Sequence, residues 1–183
     1  MKILVAYFSE TGNTKRIAEA IQEAADAQGH VTSLLTVGEV KADDLPSHDA
    51  VFLGSTCHSS DIAAPVRSLL DGIPSNLPTK LAGFVTHAAM MPEGEDWQKA
   101  MYEKWAGQCE GTFRAACETK GLDFLGFFHC QGVPSPQIEA FIHSTILTDE
   151  TQWNRYIEAI RPHPTSEDLD HVKSFARDVL AKL

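Results

Sequence analysis

Short apolar segments alternate along this chain with longer segments in which apolar residues recur at helical spacing. Residues 3–8 and 50–54 are almost continuously apolar, which is typical of strands buried on both faces of a parallel sheet. Residues 30–37 are less uniformly apolar, so this strand is predicted to lie nearer an edge of the sheet. The predicted strands cover residues 3–8, 30–37, 50–54, 80–86 and 122–128.

The helical segments are marked by their ends as well as by their spacing. Ile17 and Ile21 lie on the apolar stripe of a first helix that ends before Gly29. A second helix begins at Pro65 and ends at Gly72, the usual asymmetry of helix termini. Because strands and helices alternate with short links, the pattern predicts a doubly wound α/β fold. The remaining predicted helices cover residues 95–120, 149–160 and, opened by a capping box, 165–180.

Length and composition are those of one globular domain. The chain has 183 residues, of which 43% are hydrophobic and 22% charged. We expect a core over about residues 1–130 and a helical C-terminal extension over about 131–183. The formal net charge of −10 argues against nucleic acid and anionic membranes as partners, since both are polyanions. It favours redox proteins that are basic or metal-centred as partners.

Cysteine usage and hydropathy indicate the compartment. The four cysteines, at positions 57, 109, 117 and 130, form no C-x-x-C motif, which leaves a zinc ribbon or a thioredoxin motif without support. No apolar segment approaches the ~20 residues of a membrane-spanning helix, and the apolar start is too short for a signal peptide. The sequence therefore predicts a cytoplasmic protein with reduced thiols, and it leaves a homodimer open.

A loop rich in hydroxyl groups follows the first predicted strand. Its sequence is Ser9-Glu10-Thr11-Gly12-Asn13-Thr14, and its hydroxyls are potential donors to a phosphate. Gly12 allows a positive φ and a close approach of the backbone to a ligand. The amides at the start of the following helix favour an anion, because the helix dipole is positive there. Residues 9–14 are therefore predicted to bind a phosphate group.

The motif Ser9-x-Thr11-Gly12-x-Thr14 after a buried first strand resembles the FMN phosphate loop of flavodoxins and related flavoproteins. It lacks the Gly-Lys-Ser/Thr of a Walker A loop and the G-x-G-x-x-G of dinucleotide-binding folds. The resemblance covers about residues 1–130. It implies a flavodoxin-like fold, with a doubly wound five-stranded parallel sheet in the order 2-1-3-4-5 and extra C-terminal helices. It also implies FMN as the cofactor, with Asn13 among its ligands.

Two further loops are candidates for flavin contacts, because ligands of open parallel sheets bind beyond the carboxyl ends of the strands. Residues 55–62 resemble the corresponding loop of flavodoxin-like quinone reductases and FMN reductases, and residues 87–94 loosely resemble the third FMN loop of the same superfamily. The flavin contacts that this resemblance implies are Ser55, Thr56, Cys57, His58, His87, Ala88, Ala89 and Met90.

Both loops depart from the flavodoxin pattern. Flavodoxins usually enclose the flavin ring between aromatic side chains, and neither loop contains Trp or Tyr. His58 and Met90 or Met91 would have to make these contacts instead. No glycine lies between Ser55 and Ala64, and a glycine there eases the peptide rotation by which flavodoxins stabilise the one-electron-reduced flavin. This absence favours two-electron chemistry.

Three histidines follow strands at their carboxyl ends, and two cysteines adjoin them. His58, His87 and His129, with Cys57 and Cys130, could form a metal site. The spacing is not diagnostic, so independent roles are the favoured interpretation and no metal is assigned.

The leading hypothesis is a flavodoxin-type electron carrier that uses FMN between protein partners. The alternative is an NAD(P)H-dependent FMN or quinone reductase with the same flavin, in which His58 or His87 supplies a proton to the reduced substrate. A receiver domain is disfavoured, because Ser9, Glu10 and Thr11 stand where such domains need clustered acidic residues.

Overall fold

A parallel sheet forms the centre of the computed structural model, which describes residues 1–183. The strands are β1 Lys2–Tyr7, β2 Val31–Thr36, β3 Ala50–His58, β4 Asp61–Ile62, β5 Lys80–His87 and β6 Phe124–Gln131. The main sheet has the order β2-β1-β3-β5-β6 with parallel neighbours, and the short β4 pairs antiparallel with β3. This confirms the predicted strand order and the predicted edge position of β2.

Seven α-helices accompany the sheet. They are α1 Asn13–Ala27, α2 Ala64–Gly72, α3 Asp96–Trp105, α4 Cys109–Lys120, α5 Pro136–Phe141, α6 Glu150–Ile160 and α7 Ser166–Leu180. The predicted capping box is present at the start of α7, where Thr165 and Asp168 exchange hydrogen bonds. None of the helices combines the length and the apolar character needed to cross a bilayer.

The loop predicted directly after residue 54 is wrong in its extent, because β3 continues to His58 and turns back through β4. The connection is a two-residue hairpin turn, Ser59–Ser60. Both residues have positive φ values, 49° and 79°, as the tight turns that match strand twist require. A polar segment without glycine gave no sequence signal for such a turn.

The prediction of a single helix over residues 95–120 is also wrong, because the helix is interrupted between α3 and α4. Gly107 lies at the break, where a Cβ atom would come within 2.9 Å of the Glu103 carbonyl oxygen. The amide of Gln108 donates to the carbonyl of Ser60 at 3.1 Å instead of continuing the helix. A tertiary hydrogen bond to the β3–β4 turn thus interrupts a periodic sequence.

The sheet is covered on both faces, and a third apolar cluster lies at the carboxyl end of its strands. One face packs against α1 and α7, and the other against α2 and α4. The third cluster joins α3 to the segment after β6, and its fully buried members include Tyr156 and Ile160 of α6. The sequence did not predict α5 or the π-helical turn Ile142–Ile146 that follows it. In the C-terminal region, α7 therefore covers one face of the sheet. Residues 132–160 pack at the carboxyl ends of the strands.

Candidate functional site

The β1–α1 loop presents an uncapped helix N-terminus. Gly12, at φ +88°, is the residue before α1, and no side chain caps the helix. The Gly12 amide donates to Ser9 Oγ at 3.2 Å. The amides of Asn13, Thr14 and Lys15 have no partner within the helix, because first-turn amides precede the i→i−4 pattern. These donors and the positive end of the helix dipole suit an anion.

Two side chains of this loop are held by distant parts of the chain. Asn13 Nδ2 donates to Thr11 Oγ1 and to the carbonyl of Val133, both at 2.8 Å. Gly132 allows this contact, because a Cβ there would lie within 2.9 Å of the Asn13 side chain. The buried Thr14 hydroxyl is bonded to that of Thr86 at 2.8 Å. The loop is thereby anchored to the ends of β5 and β6.

The end of β3 combines one structural serine with an exposed histidine that contacts a carboxylate. Ser55 is fully buried, and its hydroxyl accepts from the amide of Ala63 at 2.8 Å, just before α2. The side chain of His58 is 46% exposed, and its Nε2 lies 2.6 Å from a carboxylate oxygen of Glu10. This pair connects the β1–α1 loop with the β3–β4 hairpin at the rim of the site.

A chain of hydrogen bonds runs from β5 to α3. His87 Nδ1 lies 3.2 Å from the carbonyl of Ala89, and its Nε2 lies 3.1 Å from His129 Nδ1. His129 Nε2 lies 3.5 Å from the Tyr102 hydroxyl. A carbonyl only accepts, so His87 carries its proton on Nδ1, His129 donates to His87, and Tyr102 donates to His129.

Burial keeps His87, His129 and Tyr102, the three side chains of this hydrogen-bonded series, neutral. It is the main cause that lowers the pKa of His87 to about 3, followed by repulsion from His129. Burial also lowers the pKa of His129 and raises that of Tyr102 to about 12. At neutral pH each group therefore keeps the single proton that its hydrogen bond uses.

The remaining residues of the β5 loop lie close to the third apolar cluster. The carbonyl of Ala88 accepts from the Tyr156 hydroxyl at 3.0 Å. Ala89 and Met90 are buried, and Gln131 Nε2 donates to the Ala89 carbonyl at 3.1 Å. Met90 packs within that cluster and does not line the cavity described next.

A cavity of about 680 Å³ lies at the carboxyl ends of the strands. One side, here called the polar wall, is formed by Glu10, Thr11, Asn13, Thr56, His58 and Ser59. An apolar part of the lining, here called the helical wall, is formed by Met101, Trp105, Ile138, Phe141, Ile142 and Ile146. Cys57, His87, Ala88 and Ala89 also line it.

The structure brings most of the predicted site residues to this cavity. Five of them do not line it themselves, namely Ser9, Gly12, Thr14, Ser55 and Met90. Sequence reasoning missed the whole helical wall. Trp105 brings an aromatic side chain to the cavity, with its ring edge-on to Phe141 at 6.2 Å between centroids. The sequence predicted a helix over residues 95–120 but gave Trp105 no role at the site.

The three histidines considered for a metal do not converge. His58 pairs with Glu10, whereas His87 pairs with His129. Cys130 packs on the α1 face of the sheet. No group of three or more His, Cys, Asp or Glu side chains is arranged to hold a metal ion.

The donor set fits a flat ligand that ends in a phosphate monoester. The uncapped start of α1 provides amides at the edge of the cavity, and the space where a Cβ of Gly12 would lie is free of other atoms to 4 Å. The helical wall provides apolar surface for an aromatic ring. FMN has both of these parts.

The flavodoxin domain family model matches residues 4–129 of the chain. A flavodoxin from the domain Archaea matches with a TM-score of 0.63 and 18% identity, covering 100% of this chain and 98% of that one. Flavodoxin 1 from Bacillus cereus matches with a TM-score of 0.66 and 14% identity, covering 100% and 99%.

A larger protein contains the same fold. Rubredoxin:oxygen oxidoreductase from Desulfovibrio gigas matches with a TM-score of 0.62 and 16% identity, covering 97% of this chain and 35% of that chain. These identities are low, so the structural matches establish the fold. Together with the sequence match over residues 4–129, they lead to one assignment. The chain belongs to the flavodoxin domain family.

Proposed function

We propose that this chain binds FMN in the cavity and transfers electrons as a flavodoxin-type protein. The observation that carries the proposal is the uncapped N-terminus of α1, with Gly12 at positive φ, at the edge of a cavity at the ends of β1, β3 and β5. The amides of Asn13 to Lys15 would bind the phosphate, and the flavin ring would lie between the polar wall and the helical wall. Bound FMN would accept and donate the electrons.

The side chains around the cavity would position the ring and control its surroundings. Trp105 and Phe141 offer apolar surface and exclude water from one side. His87 is neutral and already bonded at both nitrogens, so it holds the β5 loop in place and does not add a charge. The Glu10–His58 pair brings charge to the rim only.

The test is an equilibrium titration of the purified chain with FMN and with riboflavin, followed by flavin fluorescence. FMN should bind at least about a hundredfold more tightly, because riboflavin lacks the phosphate that the start of α1 would hold. Equal affinities would contradict the phosphate site, and no binding of either flavin would remove the proposal.

Redox proteins that are basic or metal-centred are the proposed partners, and the net charge of −10 supports this choice. Cytochrome c serves as a probe, since it is basic and carries haem. The photoreduced FMN-loaded chain should reduce it at a rate that falls steeply with added salt. A rate that salt leaves unchanged would contradict electrostatic docking. A cytoplasmic location and a homodimer stay predictions from the sequence.

An oxidoreductase that uses NAD(P)H is the second candidate, and the helical wall is the observation that favours it. The volume of 680 Å³ would leave room for a flat apolar acceptor such as a quinone beside the flavin. The six apolar side chains of the helical wall would provide the contact surface for that acceptor. Anaerobic addition of NADH or NADPH to the FMN-loaded chain distinguishes the candidates. Rapid bleaching would identify a reductase, and an unchanged spectrum would identify a carrier.

A further inference from the structure

Two thiols lie side by side where the β3–β4 hairpin meets the start of α4. The sulfur atoms of Cys57 and Cys109 are 3.6 Å apart, and no disulfide joins them. Cys57 Sγ also donates to the carbonyl of Trp105 at 3.2 Å. Cys109 Sγ also lies 3.7 Å from the carbonyl of Ser60. Neither thiol has a role in the proposed electron transfer.

The two thiols differ in their access to solvent. Cys57 is only partly buried and lines the cavity, whereas Cys109 is 1% exposed. A small molecule that enters the cavity therefore meets Cys57, whereas the buried Cys109 does not line the cavity. The hydrogen bond with Cys57 and burial raise the pKa of Cys109, which keeps that thiol protonated in the resting protein.

A disulfide between them requires a small movement. The sulfurs must approach from 3.6 Å to about 2.05 Å, a change of about 1.5 Å, and Cys57 Sγ must give up its hydrogen bond to the Trp105 carbonyl. The surrounding backbone is already held in place, because the Gln108 amide donates to the Ser60 carbonyl at 3.1 Å. The hairpin and the start of α4 thus stay adjacent whether the bond is present or absent.

We propose that Cys57 and Cys109 form a thiol–disulfide exchange site that reacts with low-molecular-weight disulfides through the cavity. The Cys57 thiolate attacks one sulfur of the small disulfide, forming a mixed disulfide and releasing one small thiol, which takes up the proton that Cys57 lost. Cys109 then attacks Cys57 Sγ, forming the Cys57–Cys109 bond and releasing the second small thiol with the proton from Cys109. The two cysteines are oxidised by two electrons, and the small disulfide is reduced to two thiols.

The product would connect the hairpin that carries His58 and Ser59 covalently to α4. These two residues belong to the polar wall, so oxidation would restrict the movement of one side of the cavity. The chemistry itself needs no flavin, but the small disulfide would reach Cys57 through the cavity that FMN would occupy, so the flavin-free chain is the form to test.

The experiment uses the full chain, without flavin, incubated with oxidised glutathione and then alkylated at acidic pH. Each of the four cysteines lies in a different tryptic peptide, Cys57 within residues 42–67 and Cys109 within residues 105–114. The wild-type chain should lose two of its four thiols and yield these two peptides joined by a disulfide. Retention of all four thiols in the folded chain, or a disulfide between other cysteines, would overturn the proposal.

Three variants separate the steps. Cys109→Ser should stop the reaction at a stable glutathione adduct on Cys57, because no second thiol can displace it. Cys57→Ser should give neither an adduct nor a loss of thiols. Cys117→Ser is the matched control, since Cys117 is a buried thiol on the same helix, and it should leave the Cys57–Cys109 bond unchanged. Absence of the adduct in folded Cys109→Ser, judged by circular dichroism, would also contradict the scheme.

Discussion

The two walls of the cavity differ in how they are built. The polar wall comes from the loop after β1, the start of α1 and the end of β3 with its hairpin turn, within about the first third of the chain, and its position follows from the strand order. The helical wall is assembled from α3 and from residues 138–146, which are distant in sequence. Local motifs thus produce the half that would bind the phosphate. Long-range packing produces the half that would give the ring its apolar contacts.

Among the substitutions that test the two walls, Gly12→Val should have the largest effect on affinity for FMN. Gly12 has a φ of +88°, where a β-branched residue is strained by about 1–3 kcal/mol, and a side chain would also hinder the phosphate. We expect affinity for FMN to fall about a hundredfold, with riboflavin binding nearly unchanged. Gly111→Val, on an exposed position of α4, is the control. An equal loss for both flavins would mean that the loop does not recognise phosphate.

His87, which belongs to neither wall but also lines the cavity, should make stability dependent on pH. Its pKa is lowered to about 3 in the folded chain, so the unfolded chain binds the proton first as pH falls below about 6.5. Folded stability is therefore complete above that pH and is lost as pH falls towards 3. Between pH 6.5 and pH 5 we expect the wild type to lose about 2 kcal/mol more than His87→Gln, measured by urea unfolding.

The same substitution at His171, which is exposed, serves as the control for that experiment. Parallel curves for the wild type and His87→Gln would show that His87 is not held neutral by its surroundings.

Trp105→Ala tests the helical wall and should have a smaller effect. The indole lies against the cavity, and its loss removes apolar contact without touching the start of α1. Affinity for FMN and for riboflavin should fall by the same factor, about tenfold. Trp153→Ala is the matched control, because Trp153 stacks on His143 and does not line the cavity. A loss confined to FMN would place Trp105 on the phosphate side instead.

Removal of the Glu10–His58 pair should matter least. Both side chains are about half exposed, and exposed ion pairs contribute little after solvent screening. Glu10→Gln should change the free energy of unfolding by less than about 1 kcal/mol, measured by urea unfolding. A larger loss would mean that the pair holds the two loops of the polar wall together.

Some elements could be predicted because their signals are local. The apolar run of β1, the Pro65 start of α2 and the Thr165 capping box each depend on neighbours within a few residues. The predicted long helix failed for the opposite reason. Its periodicity continues through Gly107, and only the Gln108 amide bonding to Ser60, far away in sequence, shows why the helix breaks.

The candidate site divides in the same way. Ser9 to Thr14 could be predicted as a phosphate loop because glycine, hydroxyls and a helix start stand within six residues. Trp105 had no such signal, because an aromatic residue on a helical stripe usually packs in a core. Its contact with the cavity depends on where α3 ends and on the segment from α5 to Ile146 that packs beside it.

By itself, the sequence determined the alternation of strands and helices, the position of the predicted phosphate loop and the acidic charge, since each follows from short-range pattern or from composition, and the order of the strands followed from the resemblance to flavodoxins that the predicted loop carries. The tertiary structure alone decided which side chains face the cavity, that His87 bonds to His129, and that Cys57 lies beside Cys109. The physical reason is that hydrogen bonds and side-chain packing between distant segments depend on distances that no local pattern of residues encodes.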